Sequence, residues 1–226
     1  MSQKIVSQEE WNKALLEFSK RELEFNAAKK RHAEERRKLP WVKVEKEYVF
    51  DGENGRESLS DLFQGRSQLI MQHFMFTPEW KEGCSGCSVQ AEGVDGARYH
   101  FEPKDISFVA VSRASIEKIS SFKERMGWKF KWVSSGRSDF NFDFHVSFTK
   151  EQLAKGKVFY DFEMRDVDME DMPGLSVFYK NEKGEIFRTY YGGDDSLLGV
   201  CNYLDLTPIG RNEKSYFDWI KHHDKY

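Results

Sequence analysis

Two runs of this sequence are apolar almost throughout rather than at alternate positions. One spans residues 67–76, with Leu69, Ile70, Met71, Phe74, Met75 and Phe76; the other spans residues 106–111, with Ile106, Phe108, Val109, Ala110 and Val111. A strand with one wet face alternates, whereas a strand covered on both faces does not, so both runs read as central strands of a buried sheet. After the second run, residues 115–126 place Ile116, Ile119 and Phe122 on one helical face and stop before Gly127, a residue suited to a helix end. Strand, helix and strand in alternation require helices layered on a sheet, an α/β architecture.

The rest of the chain fits around that centre. Ser7-Gln8-Glu9-Glu10 is a capping box, and Trp11, Ala14, Leu15, Phe18 and Phe25 follow at helical spacing until Pro40 ends the pattern. This predicts one long helix over 7–38, whose narrow apolar stripe suits a domain edge or a partner subunit. From Trp41 the period changes to two. Lys46 to Phe50 reads as a strand, Asp51 to Gly55 as a tight turn, and Ser58 to Phe63 as one helical turn.

Residues 128–148 read as short strands and loops. Their aromatics (Trp128, Phe130, Trp132, Phe140, Phe142, Phe144, Phe148) would form a sheet face, with Asp139, Asn141 and Asp143 lining a polar pocket. A late hairpin pairs residues 175–180 with 185–191 across a turn at 181–184, and residues 216–220 look like the start of a last helix. There is no internal repeat and no low-complexity linker. The expected organisation is a helical extension over 1–40 and one domain over 41–226.

Composition bounds the function classes. At 226 residues the chain supports one substantial core, and a net charge of -3 gives no electrostatic reason to expect nucleic acid or an anionic membrane as partner. No stretch reaches the roughly 20 apolar residues of a membrane span. Residues 1–6 lack the apolar core of a secretory signal, so a reducing, cytoplasmic setting is expected, where paired cysteines serve catalysis or metal binding more often than structure. No Walker loop, dinucleotide glycine motif or Ser/His/Asp triad is visible, and no cofactor is expected.

Two of the three cysteines stand in Gly83-Cys84-Ser85-Gly86-Cys87-Ser88, after the first central strand and the loop 77–83; the third, Cys201, reads as a small buried hydrophobe. A C-x-x-C pair opening a helix meets free N–H groups and the positive end of the helix dipole, which stabilise the nucleophilic thiolate. Cys84 would attack and Cys87, one turn on, would resolve the mixed disulfide. Gly83 and Gly86 would allow close backbone approach, and Lys81 and Arg113 could add positive charge. Two other readings of the same residues stand. The pair could hold or deliver a copper-type metal with His100 or His145, although no second C-x-x-C and no pair of spaced histidines completes a zinc set. Alternatively, the cysteines could be merely packed within a non-catalytic binding module.

The run Met172-Pro173-Gly174, the apolar strand behind it and Gly192-Gly193 at the hairpin's end resemble the proline, strand, turn and glycine pattern of thioredoxin-like proteins. That resemblance implies a thioredoxin-like fold, a central mixed sheet flanked by helices, here with a long N-terminal helical extension. It also implies a cis Pro173 beside the cysteines, on a loop that accepts substrate. A narrower resemblance rests on Glu79-Trp80 with the cysteine motif, on Ser138-Asp139-Phe140-Asn141-Phe142-Asp143-Phe144, on Asn202 through Glu213 and on Phe217-Asp218-Trp219. It is to an uncharacterised bacterial thioredoxin-like family described as predicted dithiol–disulfide oxidoreductases. The resemblance implies catalytic Cys84 and Cys87, substrate contacts at Trp80, Met172 and Pro173, no metal site, and an unknown thiol or disulfide substrate with a redox partner; a homodimer is a further expectation, from the long helix and the aromatic richness. Peroxiredoxins carry Thr or Ser where this chain has Lys81, and thioredoxin has Gly-Pro where it has Ser85-Gly86. Those departures turn the expectation away from peroxide reduction.

Overall fold

Ser7 opens the first helix, α1 (Gln8–Arg36), by a complete capping box. Its hydroxyl accepts the Glu10 N–H at 3.2 Å, and the Glu10 carboxylate accepts the Ser7 N–H at 3.0 Å. Such a cap stabilises a helix start by about 1 kcal/mol. The 29 residues of α1 include none that is buried, and the length exceeds the ~12–15 residues an isolated helix needs to persist. In this computed structural model, which describes residues 3–193, 195–215 and 217–226, α1 belongs to one compact unit, Met1–Pro40, and all that follows to a second, Trp41–Tyr226.

The second unit carries ten strands: β1 (Val42–Lys43), β2 (Val49–Gly52), β3 (Gly55–Ser58), β4 (Gln68–His73), β5 (Ile106–Ser112), β6 (Lys131–Ser134), β7 (Val158–Tyr160), β8 (Glu163–Arg165), β9 (Gly174–Lys180) and β10 (Ile186–Gly192). Eight form one sheet in the order β1-β10-β9-β4-β5-β6-β2-β3, and β7 and β8 form a separate ribbon. Strands β4, β5 and β6 run parallel, and β9 joins β4 antiparallel with His73 opposite Gly174. The crossovers are α2 (Ser85–Phe101) and α3 (Ile116–Arg125). Both step the same way along the sheet, and right-handed crossovers that step the same way lie on one face. A parallel pair joined by a helix, with an antiparallel hairpin added beside the first strand, is the thioredoxin-like arrangement.

Period-two geometry sorts the strand residues into two dry layers. Ile70, Phe108, Ala110 and Trp132 meet Cys87 and Ala91 of α2 and Ile119 and Phe122 of α3, with Phe74, Trp128 and Phe130. On the other face Leu69, Met71, Val109, Val111, Val133 and Phe178 meet Phe50, Leu62, Phe63, Phe140 and Phe144. Buried Gln72 ties β4 to α2 by donating to the Cys87 carbonyl at 3.0 Å. Ser115 caps α3, and Gly127 follows it in the left-handed region at φ +67°.

Several expectations are corrected. Within 128–148 only β6 is a strand. Residues 140–143 form a helical turn, α4 (Phe140–Asp143), so Phe140 and Phe144 stack at 4.2 Å as i and i+4 neighbours. Phe140, Phe142 and Phe144 therefore form no sheet face. Nor do the intervening polar residues line one pocket. Asp139 and Asp143 pair with Lys46 at 2.9 and 2.7 Å, while buried Asn141 accepts from Ser135 at 2.9 Å. Residues 217–219 form a turn rather than a helix, with Phe217 at φ +61°; Tyr216 lies outside the described residues. The described residues contain no cis peptide, so Pro173 is trans. Trans is the favoured form of an X–Pro bond by about 0.5–1 kcal/mol, and Pro173 precedes β9, where its missing N–H costs the ladder nothing. The β7–β8 ribbon and the short helices α5 (Lys150–Ala154) and α6 (Gly199–Leu204) are additions that sequence patterns did not announce.

Candidate active site

The cysteine motif is held by the end of β4 and the chain that returns to it. Past His73, the Phe74 N–H still bonds to Val111, and the Cys84 N–H bonds back to the Met75 carbonyl at 3.0 Å, closing the loop 76–83. Gly83 is required there. A Cβ on it would stand 2.6 Å from the Phe74 ring and 3.0 Å from the Phe122 ring. Its carbonyl accepts the Nε2–H of buried His222 at 2.8 Å. Around that contact Glu82 pairs with Arg125 and Lys225, and Arg125 pairs with Asp224 at 2.7 Å. Gly86 differs: a Cβ there would meet only the Cys84 sulfur, at an ordinary 3.8 Å. The expectation that both glycines serve close approach holds for Gly83 alone.

Cys84 is the N-cap of α2. Its sulfur accepts the Cys87 N–H at 3.4 Å, in the place a serine or aspartate oxygen usually takes. The thiol is drawn down to about 7, first by the hydrogen bond from the Cys87 thiol and further by the N–H groups of Cys87 and Gly86, against the opposing effect of burial. Cys87 is 5% exposed, and its thiol is pushed up by that same bond, by burial and by the charges of Cys84 and Asp171. Both thiols are reduced. A half-buried, easily ionised sulfur thus stands beside a buried, protonated one, and the chemistry this permits is nucleophilic attack followed by internal resolution.

A cavity of about 210 Å³ opens at this pair. Its lining is Cys84, Gly86, Cys87, Gln90, Tyr160, Pro173, Gly174, Gly193, Leu198 and Phe217. Of the three residues expected at the substrate, Pro173 lines it and Met172 and Trp80 do not. The Met172 N–H is taken by the Val146 carbonyl at 2.9 Å. Trp80 is half-buried against the aromatic layer between sheet and helices. Tyr160, at the end of β7, donates its hydroxyl to the Pro173 carbonyl at 2.6 Å. The ribbon's two-residue turn places Asp161 and Phe162 at φ +50° and +66°, and the Phe162 ring sets its edge on Tyr191 at 5.6 Å. A phenylalanine in that region carries strain of about 1–3 kcal/mol.

Behind the pair, buried Asp171 accepts from Arg113 at 2.6 Å and from Ser147 at 2.7 Å through one oxygen, while its Oδ2 has no partner. Burial pushes its carboxyl up, against the pull of Arg113. Arg113 is therefore spent on carboxylates, Glu170 at 3.2 Å being the second, and Lys81 is exposed and does not line the cavity. Neither is among the groups that lower Cys84. The histidines named as metal ligands are also not brought to the pair. His100 is exposed near the far end of α2, about 24 Å along the axis from Cys84 at ~1.5 Å per residue. His145 is exposed and packs on Phe159 at 5.2 Å. Among the described residues no three His, Cys, Asp or Glu side chains gather as metal ligands, and no helix is long and apolar enough to cross a membrane. Tyr160, Gln90, Leu198 and His222 were not singled out by sequence. Phe217 stood in a quoted block and Asp171 two residues before Pro173, but neither was given a role at the site.

Among curated proteins, none matches the chain. Solved structures that resemble it include a peroxidoxin, BcpB, from Mycobacterium tuberculosis, at 13% identity over 65% of this chain and 80% of that one, with a TM-score of 0.42. A peroxiredoxin Q from Xanthomonas campestris follows at 14% identity, 63% and 80% coverage and a TM-score of 0.43. A candidate thiol:disulfide interchange protein, DsbE, from Chlorobium tepidum gives 14%, 73% and 94%, with a TM-score of 0.45. The full length, residues 1–226, matches the family described as "Bacterial protein of unknown function (DUF899)", and the chain belongs to that family.

Proposed function

We propose that Cys84 and Cys87 form a dithiol–disulfide exchange couple, with Cys84 attacking and Cys87 resolving. The observation that carries this reading is the asymmetry of the pair. One sulfur caps α2, faces a cavity and has its thiol drawn down; the other is buried and pushed up. A thiolate near its optimum for attack has a pKa close to the ambient pH. The buried thiol must lose its proton before it can close the ring. Buried Asp171, with one oxygen unpartnered, adds negative charge that helps hold the proton on Cys87 until attack. Fold likeness contributes nothing to this assignment, because one fold carries many functions.

The test has two parts. Carbamidomethylation of Cys84 in the reduced protein is expected to rise with pH around a midpoint near 7, below that of an ordinary thiol. Cys84→Ser removes that phase, and Cys87→Ser is expected to trap a mixed disulfide on Cys84. Mass analysis of native protein after mild oxidation should show an intramolecular Cys84–Cys87 disulfide that dithiothreitol reverses. Failure to form that bond sinks the proposal.

A further inference from the structure

The walls of the cavity say more about what would meet Cys84. Apart from the two thiols, the side chains that line it are Tyr160, Leu198, Phe217, Pro173 and one amide, Gln90; the remainder is glycine. Among the described residues, no Lys, Arg, His, Asp or Glu lines it. The charge that reaches Cys87 from behind, besides the neighbouring thiolate, is that of Asp171, and it is negative. An anionic ligand would meet no positive partner among the described lining residues, which disfavours burying its charge here.

Size limits the ligand too. An apolar cavity of about 150 Å³ takes one benzene ring. The volume at Cys84, about 210 Å³, holds a ring with a sulfur and a few further atoms within its walls. The Tyr160 ring is held at this cavity by the hydrogen bond its hydroxyl donates to the Pro173 carbonyl at 2.6 Å.

Resting on the exchange reading above, we infer that the site takes an uncharged, ring-bearing disulfide of low molecular weight, with the ring against Tyr160 and Phe217 and one sulfur at Cys84. The Cys84 thiolate attacks one sulfur of the disulfide, forming a Cys84 mixed disulfide and releasing one thiolate. The Cys87 proton passes to that leaving group. The Cys87 thiolate then attacks the Cys84 sulfur, the internal disulfide forms, and the second thiolate leaves and takes a proton from solvent. Two electrons pass from the dithiol to the substrate, giving two thiols; a dithiol reductant must return them for another turn.

Stopped-flow rates of the reduced protein with four probes test this. The probes are dithiodipyridine (ring, uncharged), dithiobis(nitrobenzoate) (ring, anionic), bis(hydroxyethyl) disulfide (no ring, uncharged) and oxidised glutathione (no ring, anionic). Each rate is divided by that of N-acetylcysteine at the same thiolate fraction, which removes the probe's own reactivity. The normalised rate with dithiodipyridine is expected to exceed each of the others by roughly tenfold or more, the order of one well-filled ring pocket. Phe217→Ala is expected to erase most of that preference. Lys81→Ala should leave it unchanged. Equal normalised rates for all four probes would overturn the substrate class and leave the exchange couple standing. Absence of reaction with every probe, together with no Cys84–Cys87 disulfide, would overturn both.

Discussion

The sheet face under α2 and α3 carries Phe108, Ala110, Phe130 and Trp132 and ends at the cysteines; the opposite face carries Leu69, Met71, Val109, Phe178 and Phe140 and buries His73 against Ser176 at 2.8 Å. Both layers are dry, and each holds a titratable group at the end of β4 or just beyond it. Their fates differ. His73 meets one hydroxyl through Nε2, its Nδ1 has no partner, and burial, with some help from Arg188, holds it neutral with its titration lowered to about 3. Cys84 feels burial as well, which alone would raise a thiol. It moves the other way because the first turn of α2 aims hydrogen-bond donors at it. What separates an inert buried group from a reactive one in this molecule is therefore the supply of donors, not the depth of burial.

That contrast can be broken, and the largest lever is on the inert face. Phe140 is fully buried and touches Tyr48, Phe50 and Phe144, so Phe140→Ala is expected to cost about 3–5 kcal/mol in urea denaturation. The pH midpoint of Cys84 alkylation should stay where it is; a shift of a full unit would show that the two faces are not independent. Next in size is the loop before Cys84. Gly83→Ala should cost about 1–3 kcal/mol by overpacking against Phe74 and Phe122, whereas Gly86→Ala should stay neutral or stabilise α2 by up to ~1 kcal/mol. Equal losses at both positions would contradict the packing described for Gly83.

The smallest effect concerns His73. Its folded titration lies below its unfolded value of 6.5, so the unfolded chain binds the extra proton between those two values and stability falls as pH drops through that window. Between pH 7 and pH 5.5 this term should lower stability by about 1 kcal/mol, at ~1.4 kcal/mol per unit. His73→Gln, which can keep a bond to Ser176 without titrating, should lack that increment. Parallel stability curves for the two proteins over that range would show that His73 is not held neutral.

The sequence made the centre of the fold legible because its signals are local. The continuous apolar runs of β4 and β5, the cap and face of α3 and the turn at 181–184 each announce themselves within a dozen residues. The cysteine pair was legible for the same reason, since strand, loop and C-x-x-C lie in one stretch. The run at 140–144 was misread because aromatics two apart are also four apart, and only the i+4 pair touches. Of the cavity walls, Tyr160, Gln90 and Leu198 were not legible, and Phe217 was quoted without a place at the site. Tyr160 arrives on a three-residue strand whose turn uses Asp161-Phe162 instead of an Asn-Gly signal. Leu198 and Phe217 reach Cys84 only after the whole domain has closed. Pro173 was placed correctly at the cavity by its motif, but its peptide is trans.

One contact reported above also fixes an order of events. The carbonyl of Gly83 bonds to His222, 139 positions later in the chain. During synthesis the strands and helices that flank the cysteines can assemble while that carbonyl still faces water, because every element up to β10 is made before residue 222 leaves the ribosome. The brace on the peptide preceding Cys84 is thus acquired only after every strand of the sheet has been made. A nascent chain would carry both thiols through the assembly of the sheet without it, and the reactive loop would take its final form only when residue 222 is delivered.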